Sequence, residues 1–436
     1  MSPSTHKTSV NIRQQVDVCI GSAGTPTGSL TYVQQGQRAY SAFAYDASWL
    51  GAQERFQISP DLALTADHQQ RRAESKVDSP FHYALADTAP DAWGRRVIAR
   101  AHAKQRAKLP SLGALTELDY LLAVDDFSRV GALRLRDNAG NFLRTSVPGE
   151  RSAPPLLELS HMLSASRAVE QGTETAQDLR YLQGRGTSLG GMRPKCTVID
   201  NDGQLAIGKF PSVSDTRSVT RGEVLAMRLA QLAGIAAAPA RIVEVDGIAV
   251  ALIGRFDRTA EGKRIPYLSA ASMLQASREE ERSYFEIADI IRSHCAQPAQ
   301  DLRQLWRRMV FNLLTTNVDD HLQNHGFLHI GSGQWRLAPA FDLNPFPDKT
   351  HESKTWLSEQ DGPIVDTAAL LARCAYFALT PAQAQKVLGE VGNAVAGWKV
   401  LAQSPAVGLS AAALDDFAPA FEMPFATSQV PTKARG

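Results

Sequence analysis

"TTNVDDHLQNHGFLHI", Thr315–Ile330, decides how this chain is read. Sixteen residues carry two acids, three histidines and two asparagines, directly after an apolar segment with helical spacing. Three chemistries could use them. A polar loop at a helix end would spend the acids and amides on capping backbone groups. A metal site is suggested by His321, His325 and His329 at intervals of four, but the helical zinc pattern wants a glutamate beside the first histidine, and Gly326 interrupts a helix. Phosphoryl transfer needs a carboxylate at the acceptor hydroxyl and an oxygen ligand for magnesium from the same loop, and Asp319 and Asn324 have the spacing that supplies both.

Working outward, the third reading gathers support. A second carboxylate must reach the metal from a strand-to-loop junction, and "WRLAPAFDLNPF" puts Asp342 just after a short apolar run. A phosphate-binding cation belongs on a strand, where Lys209 ends "LAIGKFPS". Glu223, fourteen residues on in an amphipathic helix, could orient that lysine. "GRGTSLGGMRPK" sets Gly184, Gly186, Gly190 and Gly191 among Arg185, Arg193 and Lys195, so backbone amides and cations could cradle an anion, although no Walker lysine pattern is present. Each signal is weak alone, but the order is that of a kinase: glycine loop, strand lysine, helix glutamate, catalytic loop, metal aspartate. Asp319 fits the base better than Asp320, because only Asp319 has the five-residue offset to Asn324.

The rest of the chain frames this constellation. With 436 residues the chain exceeds what one hydrophobic core usually holds, so two lobes plus attachments are expected. Its 46 basic and 45 acidic residues cancel to +1, which gives no global field for nucleic acid or a membrane surface. Cys19, Cys196, Cys295 and Cys374 are too scattered for a zinc site or a disulfide framework, which fits a reducing cytoplasm. No apolar run reaches the roughly 20 residues of a membrane span.

Short β-leaning runs between Val16 and Phe56 predict a small antiparallel sheet, and Asp91 predicts the cap of a helix carrying Trp93, Val97 and Ile98. A flexible junction is expected between Ser146 and Gly172, a stretch that begins with Pro, Gly and Ser and then becomes helical. Strand, strand, helix, strand, strand follows, with turns at Asn201-Asp202-Gly203 and Asp246-Gly247. Beyond Ser283 the chain reads as mostly helical, with helical stretches at Thr367–Phe377 and Thr380–Ala402 and a loose tail from Met423. The boundaries expected are therefore 1–145, 146–258, 259–422 and 423–436.

Taken together, "GTSLGGMRPK", "LAIGKFPS", "ALIGRFDR", "NVDDHLQNHGFL" and "LAPAFDLNP" resemble the HipA-type serine/threonine kinases, toxins of bacterial toxin–antitoxin modules, over most of the chain up to about Phe421. The resemblance implies an α+β, two-lobed, protein-kinase-like fold: a β-rich N-terminal lobe with an extra small β-sheet subdomain, and a mostly α-helical C-terminal lobe. It implies that Asp319 is the catalytic base, that Asn324 and Asp342 hold magnesium, and that Lys209 contacts the ATP phosphates. Gly190, Gly191, Met192, Arg193, Pro194 and Lys195 would form the phosphate loop, and His321 would support the catalytic loop. Gly254, Arg255 and Phe256 would lie beside the adenine, with Gly254 standing where some members carry an acid. Ser188 falls where members autophosphorylate and so inactivate themselves, and Thr187 competes for that assignment.

The family's substrates are protein serines, including one in an aminoacyl-tRNA synthetase, and its partner is a small helix-turn-helix antitoxin through which alone it meets DNA. Two other readings stand beside this one. A small-molecule phosphotransferase would share the fold, and a non-catalytic corepressor could use basic stretches such as "GRRVIARAHAKQRAK", Gly94–Lys108.

Overall fold

The computed structural model describes residues 11–36, 38–75, 77–145, 155–183, 191–277, 280–349 and 352–422. The N-terminal sheet is built from β1 (Asn11–Ile20), β2 (Thr25–Gln35), β3 (Arg38–Tyr45), β4 (Gln69–Arg72) and β5 (Leu133–Arg136), in the antiparallel order β4-β3-β2-β1-β5. Alternation decides its buried face: Val16 and Val18, Leu30 and Tyr32, Phe43 and Tyr45 all point into one core. The three runs visible in the sequence form its centre. Its edge strands come from farther along the chain.

The second sheet is β6 (Lys195–Ile199), β7 (Leu205–Lys209), β8 (Ala240–Val245) and β9 (Ile248–Gly254), ordered β6-β7-β9-β8. Both expected turns are present. Gly203 adopts φ +80°, and Asp246 and Gly247 both turn left-handed at 51° and 74°, as a two-residue hairpin turn requires. Helix Val219–Leu232 packs on β8 and β9 and stops before Gly234, which takes φ +74°. Helix Leu159–Gln171 buries Leu159, Met162, Leu163 and Val169 in a core with Cys196, Val198, Val250 and Leu252 of the sheet. Trp93, Val97 and Ala101 of helix Ala92–Lys108 enter the same core, and Asp91 caps that helix by accepting from the Gly94 N–H at 2.6 Å.

The remaining lobe is helical around Pro298–Leu314, whose Leu302, Leu305, Trp306, Met309, Val310 and Phe311 are all buried. Helix Tyr284–His294 starts with a reciprocal cap between Ser283 and Glu286. The stretch Thr380–Ala402 divides at Gly397 into Pro381–Ala396 and Trp398–Gln403, and the stretch at Thr367 is a short helix, Thr367–Ala372, followed by one 3-10 turn. A final helix, Ala411–Phe421, lies where the sequence reading placed none. Strands β10 (Tyr267–Ser269), β11 (Gly326–Gly331) and β12 (Gln334–Leu337) form a small third sheet between the loop that follows Pro298–Leu314 and the segment that carries Asp342. Residues 146–154 and the tail from Met423 lie outside the described residues, as do Thr187, Ser188 and Gly190.

Candidate active site

Lys209 is the last residue of β7, and its ammonium donates to Glu223 Oε1 at 2.5 Å and to Asp342 Oδ1 at 2.7 Å. Glu223 reaches it because it lies on the inner face of helix Val219–Leu232, 4% exposed. Asp342 reaches it because its own segment pairs with the chain just after that helix: the Ala340 N–H donates to the Ala236 carbonyl at 2.7 Å, and the Ala238 N–H to the Ala340 carbonyl at 2.9 Å. The backbone then turns left-handed at Asp342, φ 55°.

One ammonium faces two carboxylates, and the titration follows from that imbalance. Burial disfavours charge on Lys209, but Asp342 and Glu223 outweigh it and its pKa rises. Burial pushes Asp342 up as well, yet Lys209, then Lys195 and the Asn344 amide, bring it down to about 2, so it stays ionised. Glu223 is the group left raised, by burial first and by Asp342 beside it.

Lys195 stands opposite Lys209 in the β6–β7 register and is buried, donating to Asp91 Oδ2 at 3.3 Å. Asp91 therefore caps its helix with one oxygen and holds a lysine of the glycine loop with the other. Burial lowers the Lys195 pKa despite Asp91. Gly191 has φ +90°, a backbone conformation that side chains rarely adopt, and a Cβ there would lie 3.0 Å from the Lys195 ammonium. Of the other loop residues, Met192 is exposed, Arg193 pairs with Asp215 at 2.6 Å, and the Pro194 carbonyl accepts from the Phe210 N–H.

The residues expected to form a catalytic loop follow helix Pro298–Leu314. Thr316 turns left-handed, and Asn317 then ties three pieces together. Its Nδ2 donates to Asn312 Oδ1 at 3.0 Å, and its Oδ1 accepts from the Asn344 N–H at 3.2 Å; Asn344 in turn donates to Asp342 Oδ1 at 3.1 Å. Asp319 is part-exposed and forms an ion pair with Lys354. Asn324 donates from Nδ2 to the Asp319 carbonyl at 2.8 Å, which fixes the acid and the amide relative to each other in one loop.

Asp320 points the other way, 2% exposed, and accepts from the Tyr284 hydroxyl at 2.6 Å and the Lys354 N–H at 2.8 Å. Burial outweighs these donors and raises it to about 6. Burial, aided by Lys354, lowers the His321 pKa against the charges of Asp319 and Asp342. His325 and His329 belong to the core: His325 packs edge-on against Tyr284, and His329 stacks on Phe56 at 3.7 Å.

At the β9 end, the Gly254 N–H donates to the Pro239 carbonyl at 2.8 Å and the Arg255 N–H to the Leu205 carbonyl at 2.9 Å. The Arg255 side chain leaves the cleft. It pairs with Asp257 and donates to the Ser128 and Arg129 carbonyls, so only its backbone faces the space beside β7. Phe256 packs against Phe341, the neighbour of Asp342, with ring centroids 5.3 Å apart. The structure thus brings Lys209, Glu223 and Asp342 into contact, and places Asp319, Asn324 and His321 on the adjoining loop. Sequence reasoning missed Asp91, Lys354, Asn317 and Asn344, and it read Asp320 only as a neighbour of the base.

A β-rich lobe with a lysine–glutamate pair, joined by one connecting segment to a helical lobe with acid and amide loops, is the two-lobed kinase-like fold. Residues 17–124 match the family description "HipA N-terminal domain" and residues 187–398 match "HipA-like C-terminal domain". The chain belongs to the HipA family. Relatives are distant. A candidate kinase of Sinorhizobium fredii, Y4mE, is 24% identical over 391 residues, 84% of this chain and 81% of that protein. A candidate kinase of Haemophilus influenzae is 26% identical over 188 residues, 38% of this chain and 55% of that one. HipA of the Shewanella oneidensis MR-1 toxin–antitoxin system, solved with HipB and its operator DNA, shares the fold with a TM-score of 0.62 at 15% identity, over 93% of this chain and 95% of its own. Among the described residues no helix is long and apolar enough to cross a membrane.

Proposed function

We propose that the protein is an ATP- and magnesium-dependent protein serine/threonine kinase of the HipA type, which phosphorylates a cellular protein, an aminoacyl-tRNA synthetase being the first candidate, to arrest growth in the cytoplasm. A small helix-turn-helix antitoxin is its partner, and DNA is reached only through that partner. The observation that carries this reading is Lys209 held between Glu223 and Asp342 beside the loop that presents Asp319 and Asn324.

Each group then has a task. Magnesium takes oxygen ligands, and the donor set fits it: Asp342 is an ionised carboxylate, and Asn324 spends its Nδ2 on the Asp319 carbonyl, leaving Oδ1 as the donor atom. When bound, magnesium neutralises phosphate charge and orients the phosphates. Lys209, drawn toward its helix by Glu223, contacts the phosphates, with Gly191–Lys195 beside them and the Gly254–Phe256 backbone at the adenine. Asp319 takes the proton of the acceptor serine as its oxygen bonds to the γ-phosphorus and the bond to the ADP oxygen breaks. Ser188 is the inhibitory autophosphorylation site, since nearly two added negative charges beside bound phosphates repel the nucleotide.

Incubating the purified protein with magnesium, γ-labelled ATP and cell lysate tests the reading. Label should enter protein serine with wild type and not with Asp319→Asn. Label confined to small metabolites, or unaffected by the substitution, would overturn it. Phosphosite mapping that found Thr187 modified and Ser188 bare would overturn the autophosphorylation assignment.

A further inference from the structure

The ion pair between Lys354 and Asp319 Oδ1 joins residues 35 positions apart, and the lysine is delivered by a braced segment. Its own N–H donates to Asp320 Oδ1 at 2.8 Å, and the next residue, Thr355, donates its hydroxyl to the Asp320 carbonyl at 2.6 Å. Asp320 is itself held by the Tyr284 hydroxyl. On the outer side Ser353 donates to the Thr355 carbonyl at 2.7 Å and accepts from the Ile364 N–H at 2.9 Å. The Trp356 N–H donates to the Arg282 carbonyl, and the Trp356 carbonyl accepts from the Tyr284 N–H. Residues Ser353–Trp356 thus form a ledge fixed both to the catalytic loop and to the start of helix Tyr284–His294.

Stability does not explain this construction. The two side chains are 57% and 35% exposed, and an ion pair that open adds little to stability. What the ledge secures is the place of one ammonium on the Asp319 carboxylate. We propose that Lys354 is a catalytic cation of the phosphoryl-transfer step, holding the Asp319 carboxylate toward the acceptor hydroxyl and binding an oxygen of the phosphoryl group in flight. The proposal rests on the kinase reading above.

Charge on a transferring phosphoryl group spreads over three equatorial oxygens, and those oxygens need donors from more than one direction. Lys209, bound by Glu223 and Asp342, approaches from β7. Lys354 approaches from the Ser353–Trp356 ledge, on the Asp319 carboxylate. An ammonium has three N–H donors and can keep one on Asp319 while giving another to a phosphoryl oxygen. The proton moves from the serine hydroxyl to Asp319 as the O–P bond forms and the ADP oxygen departs with the electron pair, while Lys354 only donates hydrogen bonds.

Calorimetry with magnesium–ADP, with and without aluminium fluoride standing in for the transferred group, separates this role from a structural one, alongside steady-state kinetics of Lys354→Ala and Lys354→Arg. For Lys354→Ala the expectation is a loss of ~100-fold in kcat, and a similar loss of the tightening that fluoride gives to ADP, with ADP affinity and the KM for ATP within about threefold of wild type. Lys354→Arg should recover at least about tenfold of both, because it restores the charge. If wild type binds ADP and fluoride tightens it equally in Lys354→Ala, or if ADP affinity falls as far as kcat, the assignment of Lys354 fails while the kinase reading stands. If wild type does not bind ADP at all, both fall.

Discussion

Asp320→Asn should make the protein relatively more stable as the pH rises, and the amount can be worked from the site. The Asp320 carboxylate is enclosed by the catalytic loop, Tyr284 and the Ser353–Trp356 ledge, and burial raises its pKa to about 6 against the pull of the Tyr284 hydroxyl and the Lys354 and Thr355 amides. An unfolded aspartate titrates near ~3.9. Between these values the folded protein binds the extra proton, so the stability Asp320 contributes is fully present below about pH 4 and is lost as the pH rises through about 6. Two pKa units correspond to on the order of 3 kcal/mol. Asparagine cannot titrate, so the difference between variant and wild type should shift toward the variant by roughly that amount from pH 3.5 to pH 7.

His325 and His329 act in the opposite sense, because burial depresses them to about 3 and about 4, but both proteins contain them and they cancel in the difference. Urea unfolding of the pair at several pH values in this window is the assay. A difference constant to within about 0.5 kcal/mol across the window would refute the reasoning, because it would mean that the carboxylate is not desolvated in the folded loop.

Two further expectations concern the supports of the site. Asn344→Ala removes the amide that donates to Asp342, and loss of a group orienting a metal ligand costs about 10–100-fold in metal affinity; magnesium titrations of nucleotide affinity should show it, and an unchanged magnesium midpoint would contradict the role. Asp257→Ala leaves the Arg255 and Arg258 guanidinium groups buried without the carboxylate both contact, which should cost about 3–5 kcal/mol in urea unfolding. A loss below about 1 kcal/mol would show that water or another acid takes its place.

The parts of the site that were legible in the sequence are those fixed by local rules. Asp319 and Asn324 share one loop, so their spacing survives folding, and the two hairpins announce themselves through Asp-Gly pairs that tolerate left-handed backbone. Lys209 and Glu223 could be paired because a strand end followed by a helix limits where the acid can lie. What stayed hidden depends on contacts between distant segments. Asp91 sits 104 positions before Lys195 and reads as an ordinary helix cap, which it also is. Lys354 has no motif, only a backbone anchored on Asp320, the buried neighbour of Asp319. Arg255 falls in the connecting segment, and nothing local reveals that its side chain is drawn out of the cleft by Asp257 and by carbonyls near residue 128. The final helix was missed because Pro419 lies inside it and its apolar face is completed by helix Val219–Leu232.

That final helix has a consequence for motion. Phe417 presses its ring onto Gly222, where even a methyl group would lie 2.7 Å from ring carbons, and the Ala420 carbonyl accepts from the Thr316 hydroxyl at 2.8 Å at the root of the catalytic loop. Ala411–Phe421 is thus a bolt driven through both lobes, one residue from Glu223 on one side and three from Asp319 on the other. The helix that carries Glu223 and the start of the loop that carries Asp319 therefore cannot separate without giving up the Phe417–Gly222 contact or the Thr316–Ala420 hydrogen bond.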